Sequence, residues 1–177
     1  MFNRHPAEVL NFCQGFLPVA MNSGANAGDA ISLKNYDGCL IIFFKALGTA
    51  GQDPTITLEQ GTDVAFGTNK ALNITRVDKK QAATSLLAVG TYTKSTSASP
   101  ASNDTFSTNT WTNSTLAEEA AIVVINVRSD DLDVDNGYDC IRASIADVGT
   151  NAQLGCLLYM TYGARYGKEG GVSAIAD

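Results

Sequence analysis

Three aspartates stand at every second position, Asp131, Asp133 and Asp135, inside the stretch SDDLDVDNGYDC. Alternating carboxylates followed by a glycine resemble the start of a calcium loop. Such a loop places oxygens at its first, third and fifth positions, Gly at the sixth and a bidentate Glu at the twelfth. Counted from Asp131, the sixth residue is Asn136, Gly137 comes one place late, and the twelfth is Arg142, whose charge is wrong for a cation ligand. The flanking residues have strand character, whereas a calcium loop lies between helices. The sequence therefore implies no metal site here.

A pair of aspartates can also share acid–base work, but only with other groups placed around them. The single histidine, His5, lies far away near the start of the chain. No nucleophile elbow, phosphate-cradling glycine loop or His/Glu metal pair is present. The expectation is no enzyme, no catalytic residue and no cofactor. The four cysteines, Cys13, Cys39, Cys140 and Cys156, include no C-x-x-C pair, so zinc and thioredoxin chemistry fall away. Cys39, Cys140 and Cys156 sit among apolar, strand-like residues and are expected to be buried thiols that act as small hydrophobes.

The aspartate stretch then reads as a turn. Asn136-Gly137 is a strong hairpin signal, because both residues tolerate positive φ. It lies between AIVVINV and YDCIRASIA, both of strand character. Its carboxylates are free to cap backbone N–H groups, and Arg128 or Arg142 is placed to pair with them.

The elements around this turn are mostly strands. CLIIFFKA is continuously apolar, which predicts a central strand buried on both faces or in a tight sandwich, and AAIVVINV is a second fully apolar run. DPTITLEQ, ALNITRVD, SLLAVGTYTK, YDCIRASIADV and AQLGCLLYMTYG add further strands, with Gly, Asn and Asp at the breaks. The pattern predicts an all-β fold, a β-sandwich or jelly roll of about eight strands. Between Thr91 and Thr115 more than half of the residues are Ser or Thr. Phe106 and Trp111 punctuate that stretch and predict an ordered excursion, packed by its aromatics and placed to touch another subunit.

The ends differ from the body. Residues 1–28 read as an arm and linker, with a short helix over PAEVLNFC started by Pro6 and Glu8 and stopped by Pro18. Residues 29–166 form the β domain, and 167–177 a Gly-rich tail with no core face. An isolated two-turn helix is not stable in water, so the arm's Phe2, Leu10, Phe12, Phe16 and Leu17 need a partner surface. With Phe106 and Trp111 they are the candidate protein-contact residues.

Charge narrows the partners. Lys and Arg total 12 and Asp and Glu 18, a net charge of -6. An acidic chain without a basic cluster lacks the footprint of a nucleic-acid binder. No apolar run reaches the ~20 residues of a membrane helix. The N-terminus makes a poor signal peptide, since Glu8, Asn11 and Gln14 interrupt its apolar stretch. A cytoplasmic origin is expected.

Two passages carry a family resemblance. ISLKNYDGCLIIFFKALGTAGQDPTITLEQ and DLDVDNGYDCIRASIADVGTNAQLGCLLYMTYGARYG resemble small virion proteins of tailed bacteriophages and prophages, the head decoration or cement proteins. The resemblance runs from about Ile31 to Gly167 and omits the arm and the threonine-rich middle. It implies a structural protein on the outer capsid surface, assembled in the host cytoplasm, with the major capsid protein as partner and a homo-oligomer, a trimer, as its state. A receptor- or carbohydrate-binding β-sandwich of a tail fibre or adhesin is the competing reading. There Trp111, Phe106, Tyr92 and Tyr138 would serve as sugar platforms.

Overall fold

The computed structural model describes residues 9–165 and 173–175. Among these described residues there are thirteen strands: β1 (Asn11–Ala20), β2 (Asn26–Ala27), β3 (Ile31–Ser32), β4 (Gly38–Lys45), β5 (Thr55–Gly61), β6 (Asn69–Ala71), β7 (Arg76–Ala82), β8 (Thr93–Thr96), β9 (Asp104–Ser107), β10 (Thr110–Asn113), β11 (Ala120–Arg128), β12 (Cys140–Ile145) and β13 (Leu154–Tyr162). All pairings are antiparallel. A six-stranded sheet runs β1-β13-β4-β11-β7-β8. A seven-stranded sheet runs β2-β12-β5-β10-β9, with β3 also on β12 and β6 on β5. The two pack as a β-sandwich, and no helix of seven or more residues occurs among the described residues.

The chain changes sheet at most of its strand-to-strand steps. β1 lies in the six-stranded sheet, β2 and β3 in the other, β4 back in the first, and the alternation continues to β13. Strands adjacent in a sheet are therefore mostly distant in sequence. Only β5–β6, β7–β8 and β9–β10 are neighbours both in sequence and in a sheet.

The core follows from the two-residue period of strands, which sends alternate side chains to opposite faces. Ile41, Phe43, Val123, Ile125, Leu157 and Tyr159 point inward from the six-stranded sheet. They meet Ile56, Leu58, Trp111, Ile141, Ala143 and Ile145 from the other, and all are buried. Each such large apolar side chain contributes about 1.5–3 kcal/mol of burial free energy. The Tyr159 hydroxyl accepts a hydrogen bond from the Ala143 N–H (2.9 Å) and so links the sheets.

The expected arm is different from Asn11 onward. Asn11–Ala20 is the edge strand β1, in register with β13 from Asn11 opposite Thr161 to Ala20 opposite Leu154. It points Cys13 and Gly15 into the molecule. Gly15 is obligatory there, since a Cβ would lie 2.0 Å from Leu157 Cδ2. Helix signals lose to pairing because the apolar interior of the sandwich lies beside β13. The expected helix start at Pro6 lies outside the described residues. Two register shifts in β1 and Pro18 disrupt its outer edge, which blunts further strand pairing.

The tail also departs from expectation where it is described. Ala174 is buried, and its carbonyl accepts the Ser32 N–H at 2.7 Å. The Ser/Thr-rich stretch is ordered: β8 extends the six-stranded sheet, and β9 and β10 form a hairpin on the other. Trp111 is wholly buried, opposite Ile56 and Phe106.

Candidate functional site: an uncovered apolar sheet face

The aspartates do not converge. Asp131 Oδ2 accepts the Arg128 N–H at 2.8 Å, Arg128 pairs with Asp130 at 2.9 Å, and Asp133 accepts from Asn136 Nδ2 and from the Lys70 ammonium. The Lys70 hydrogen bond, helped by Asn136, holds the Asp133 carboxyl below its ordinary range. Among the described residues no three His, Cys, Asp or Glu side chains come together to hold a metal ion. The carboxylates do cap backbone as the sequence suggests. Arg128 joins them, while Arg142 pairs instead with Glu59 across β12 and β5 at 2.8 Å. The hairpin reading is corrected. Gly137, at φ 83°, ends a single 3-10 turn over Val134–Asn136. The connection carries the chain from β11 in one sheet to β12 in the other.

The candidate contact residues scatter. Phe2 lies outside the described residues. Leu10 is half-buried just before β1, Phe12 and Leu17 are exposed on it, and Phe16 packs partly against the core. Phe106 is half-buried and Trp111 is inaccessible, so Trp111 offers no surface to a partner or a sugar. The ring of Tyr138 has Lys70 Nζ 4.1 Å from its centroid and that of Tyr92 has Lys80 Nζ at 4.8 Å, so a cation already lies over each.

What the structure assembles instead is the outer face of the six-stranded sheet. The register aligns Phe12, Met160, Leu40 and Asn126 in one row. The next row is Gln14, Leu158, Ile42 and Val124, and the third is Cys156, Phe44 and Ile122. Leu154 and Ala120 extend the apolar area beyond the third row. Phe12, Phe44, Leu154 and Leu158 are 55%, 50%, 57% and 37% exposed, and the other apolar members are half-buried. The outward side chains of these rows are uncharged. Charge begins only at the margins, with Asp78 and Lys80 on β7 and Arg128 at the end of β11. At one end a groove of about 380 Å³ opens between Pro18, Phe44, Leu47, Leu86 and Leu154.

The continuous apolar runs of β4 and β11 are the sequence signal for this face. Such runs fit burial on both sides or a tight sandwich, and here the sandwich covers one side. Cys156 lies on the uncovered side and is half-exposed, while Cys13, Cys39 and Cys140 are buried. Burial raises the Cys13, Cys39 and Cys156 thiols above their ordinary range.

Comparison with protein-family models, curated proteins and solved structures gives no match.

Proposed function

We propose that the chain is a structural virion protein, a decoration or cement protein that binds the outer surface of a phage capsid and stabilises the shell. In this reading it is not an enzyme, its partners are the major capsid protein and further copies of itself, and its place is the capsid surface. The observation that carries it is the apolar outer face of the six-stranded sheet. Monomeric soluble proteins rarely expose a large contiguous apolar patch, and one rimmed by charge marks a protein contact. The absence of charge within the face matches the fully buried centre of permanent interfaces. The resemblance of residues 31–167 to head decoration proteins supplies the setting. The acidic surface fits the outside of a shell, where it does not meet packaged DNA.

Quantifying the chain in purified virions tests the reading. A copy number comparable with that of the shell protein is the expected result. A handful of copies, located on the tail, would make it a tail or fibre component instead.

A further inference from the structure

We infer that the outer face of the six-stranded sheet is where two copies of this chain meet, packed sheet on sheet about a two-fold axis. The inference rests on the reading of that face as a permanent protein contact, and it assigns the occupant as a second copy rather than the capsid.

Four observations favour a second copy. The first is size. Four strands about 4.8 Å apart and roughly seven residues long span about 20 by 25 Å, on the order of 500 Å² in projection and more in accessible area. Leu17, Val19 and Leu47 enlarge it at the margins. That approaches the ~800 Å² each partner gives to an ordinary stable interface.

The second is charge. A chain of net charge -6 repels its own copies over most of its surface. The rows from Phe12 to Ile122 carry no outward charge, so two acidic chains can approach there without like-charge contact.

The third is supply. A face this apolar promotes aggregation if left bare after folding. The partner made together with every copy, at the same concentration, is the chain itself.

The fourth is shape. The face is one layer of paired strands, and stacked sheets pack ~10 Å apart with interdigitating side chains. A single patch that meets itself closes as a two-fold pair, whereas the trimer expected from the sequence needs two different surfaces. The capsid contact then falls to another part of the surface.

Cys156 is a built-in reporter, because it lies within the face while the other three thiols are buried. The test uses the full chain, light scattering for mass, and a maleimide for labelling. The wild type at about 50 µM is expected to have twice the 18.6 kDa chain mass, with Cys156 labelled at least ~10-fold more slowly than after dilution to the monomer. Leu158→Glu and, independently, Ile42→Lys are expected to give folded monomers with fast Cys156 labelling. Both residues point outward, so circular dichroism should show the fold unchanged.

A monomeric or trimeric wild type overturns the inference, as does a dimer that Leu158→Glu leaves intact. A monomer whose Cys156 is still protected would place another stretch of the same chain over the face, which also overturns it. Binding to particles stripped of the protein is scored separately. A monomeric wild type whose binding is lost in Leu158→Glu would make the capsid the occupant, which ends this inference and upholds the proposed function.

Discussion

At the scale of single residues, Lys45 shows how the interior constrains chemistry. It ends β4 and points inward, only 1% exposed, with no carboxylate among the described residues paired to it in a salt bridge. Its ammonium donates to the carbonyls of Leu116 (2.6 Å), Ala117 (3.3 Å) and Glu119 (2.5 Å), which fills all three donors. Burial lowers its pKa to about 8, partly offset by Asp53, Glu119 and Glu118. Below that value the folded and unfolded chains both hold the proton, and the desolvation cost is fully present. Between about 8 and the ordinary lysine value near 10.4, the unfolded chain binds a proton that the folded chain has released, so stability rises with pH. Lys45→Met is expected to take the lysine donor from the Glu119 carbonyl, while Ala117 keeps the Gly48 N–H and Gln153 Nε2 and Leu116 keeps the Glu119 N–H, and to cost about 1–3 kcal/mol near neutral pH. The variant should also lose the rise between pH 8 and 10. Urea unfolding at several pH values checks both, and a variant that keeps the rise would assign it to another group. The sequence signals little of this, since CLIIFFKA reads as an apolar run with a charge at its end.

At the scale of elements, most of the longer strands were legible and their partners were not. β4, β11, β12 and β13 follow from apolar patterning. β1 was hidden because its inward residues, Cys13 and Gly15, are small, while its large apolar residues Phe12 and Leu17 face out. A two-residue hydrophobic rhythm cannot be read from such a strand, and Pro6, Glu8 and Pro18 supply helix punctuation instead. The Ser/Thr-rich stretch was legible as ordered through Trp111 but not as strands, because its anchor is polar. Lys79 on β7 pairs with Asp104 on β9, their side chains 4% and 0% exposed, and Asp104 also accepts from Asn113 Nδ2 at 2.7 Å. This pair ties β7, next to the β8 edge of one sheet, to the edge strand β9 of the other. Removing one partner leaves a buried charge alone, so Asp104→Ala is expected to cost about 3–5 kcal/mol. Lys79→Met combined with Asp104→Leu should recover much of that. Thermal unfolding of the wild type, both single variants Lys79→Met and Asp104→Leu, Asp104→Ala and the double variant checks it, and additive losses in the double variant would show that the two groups do not act as a pair.

At the scale of the whole molecule, the alternation between sheets decides what can be removed. Local turn signals such as Asn136-Gly137 suggest hairpins, but most connections cross the sandwich, so the fold closes largely through pairings distant in sequence. The longest of these joins the first long strand to the last, Asn11 opposite Thr161. Sequence reading sets residues 1–28 apart as an arm and linker, which implies a β body that folds without residues 1–25. The structure points the other way. Deleting them removes all of β1 and takes Cys13 and Met21 out of the core. Losing Met21 alone forfeits about 1.5–3 kcal/mol of burial free energy. The deletion also bares the nine-residue edge of β13, Leu154–Tyr162, which carries Leu158 and Met160 and has no proline. A long, apolar, unpaired edge is a template for aggregation. The expected outcome is a truncated chain that is mostly insoluble, or that unfolds at least ~10 °C lower, since each kcal/mol shifts the midpoint by roughly 2–8 °C in domains of this size range. A scan of the truncated and full chains at matched concentration checks it. A soluble truncated chain with an unchanged midpoint would show that β1 is an attachment to the sandwich and not one of its members.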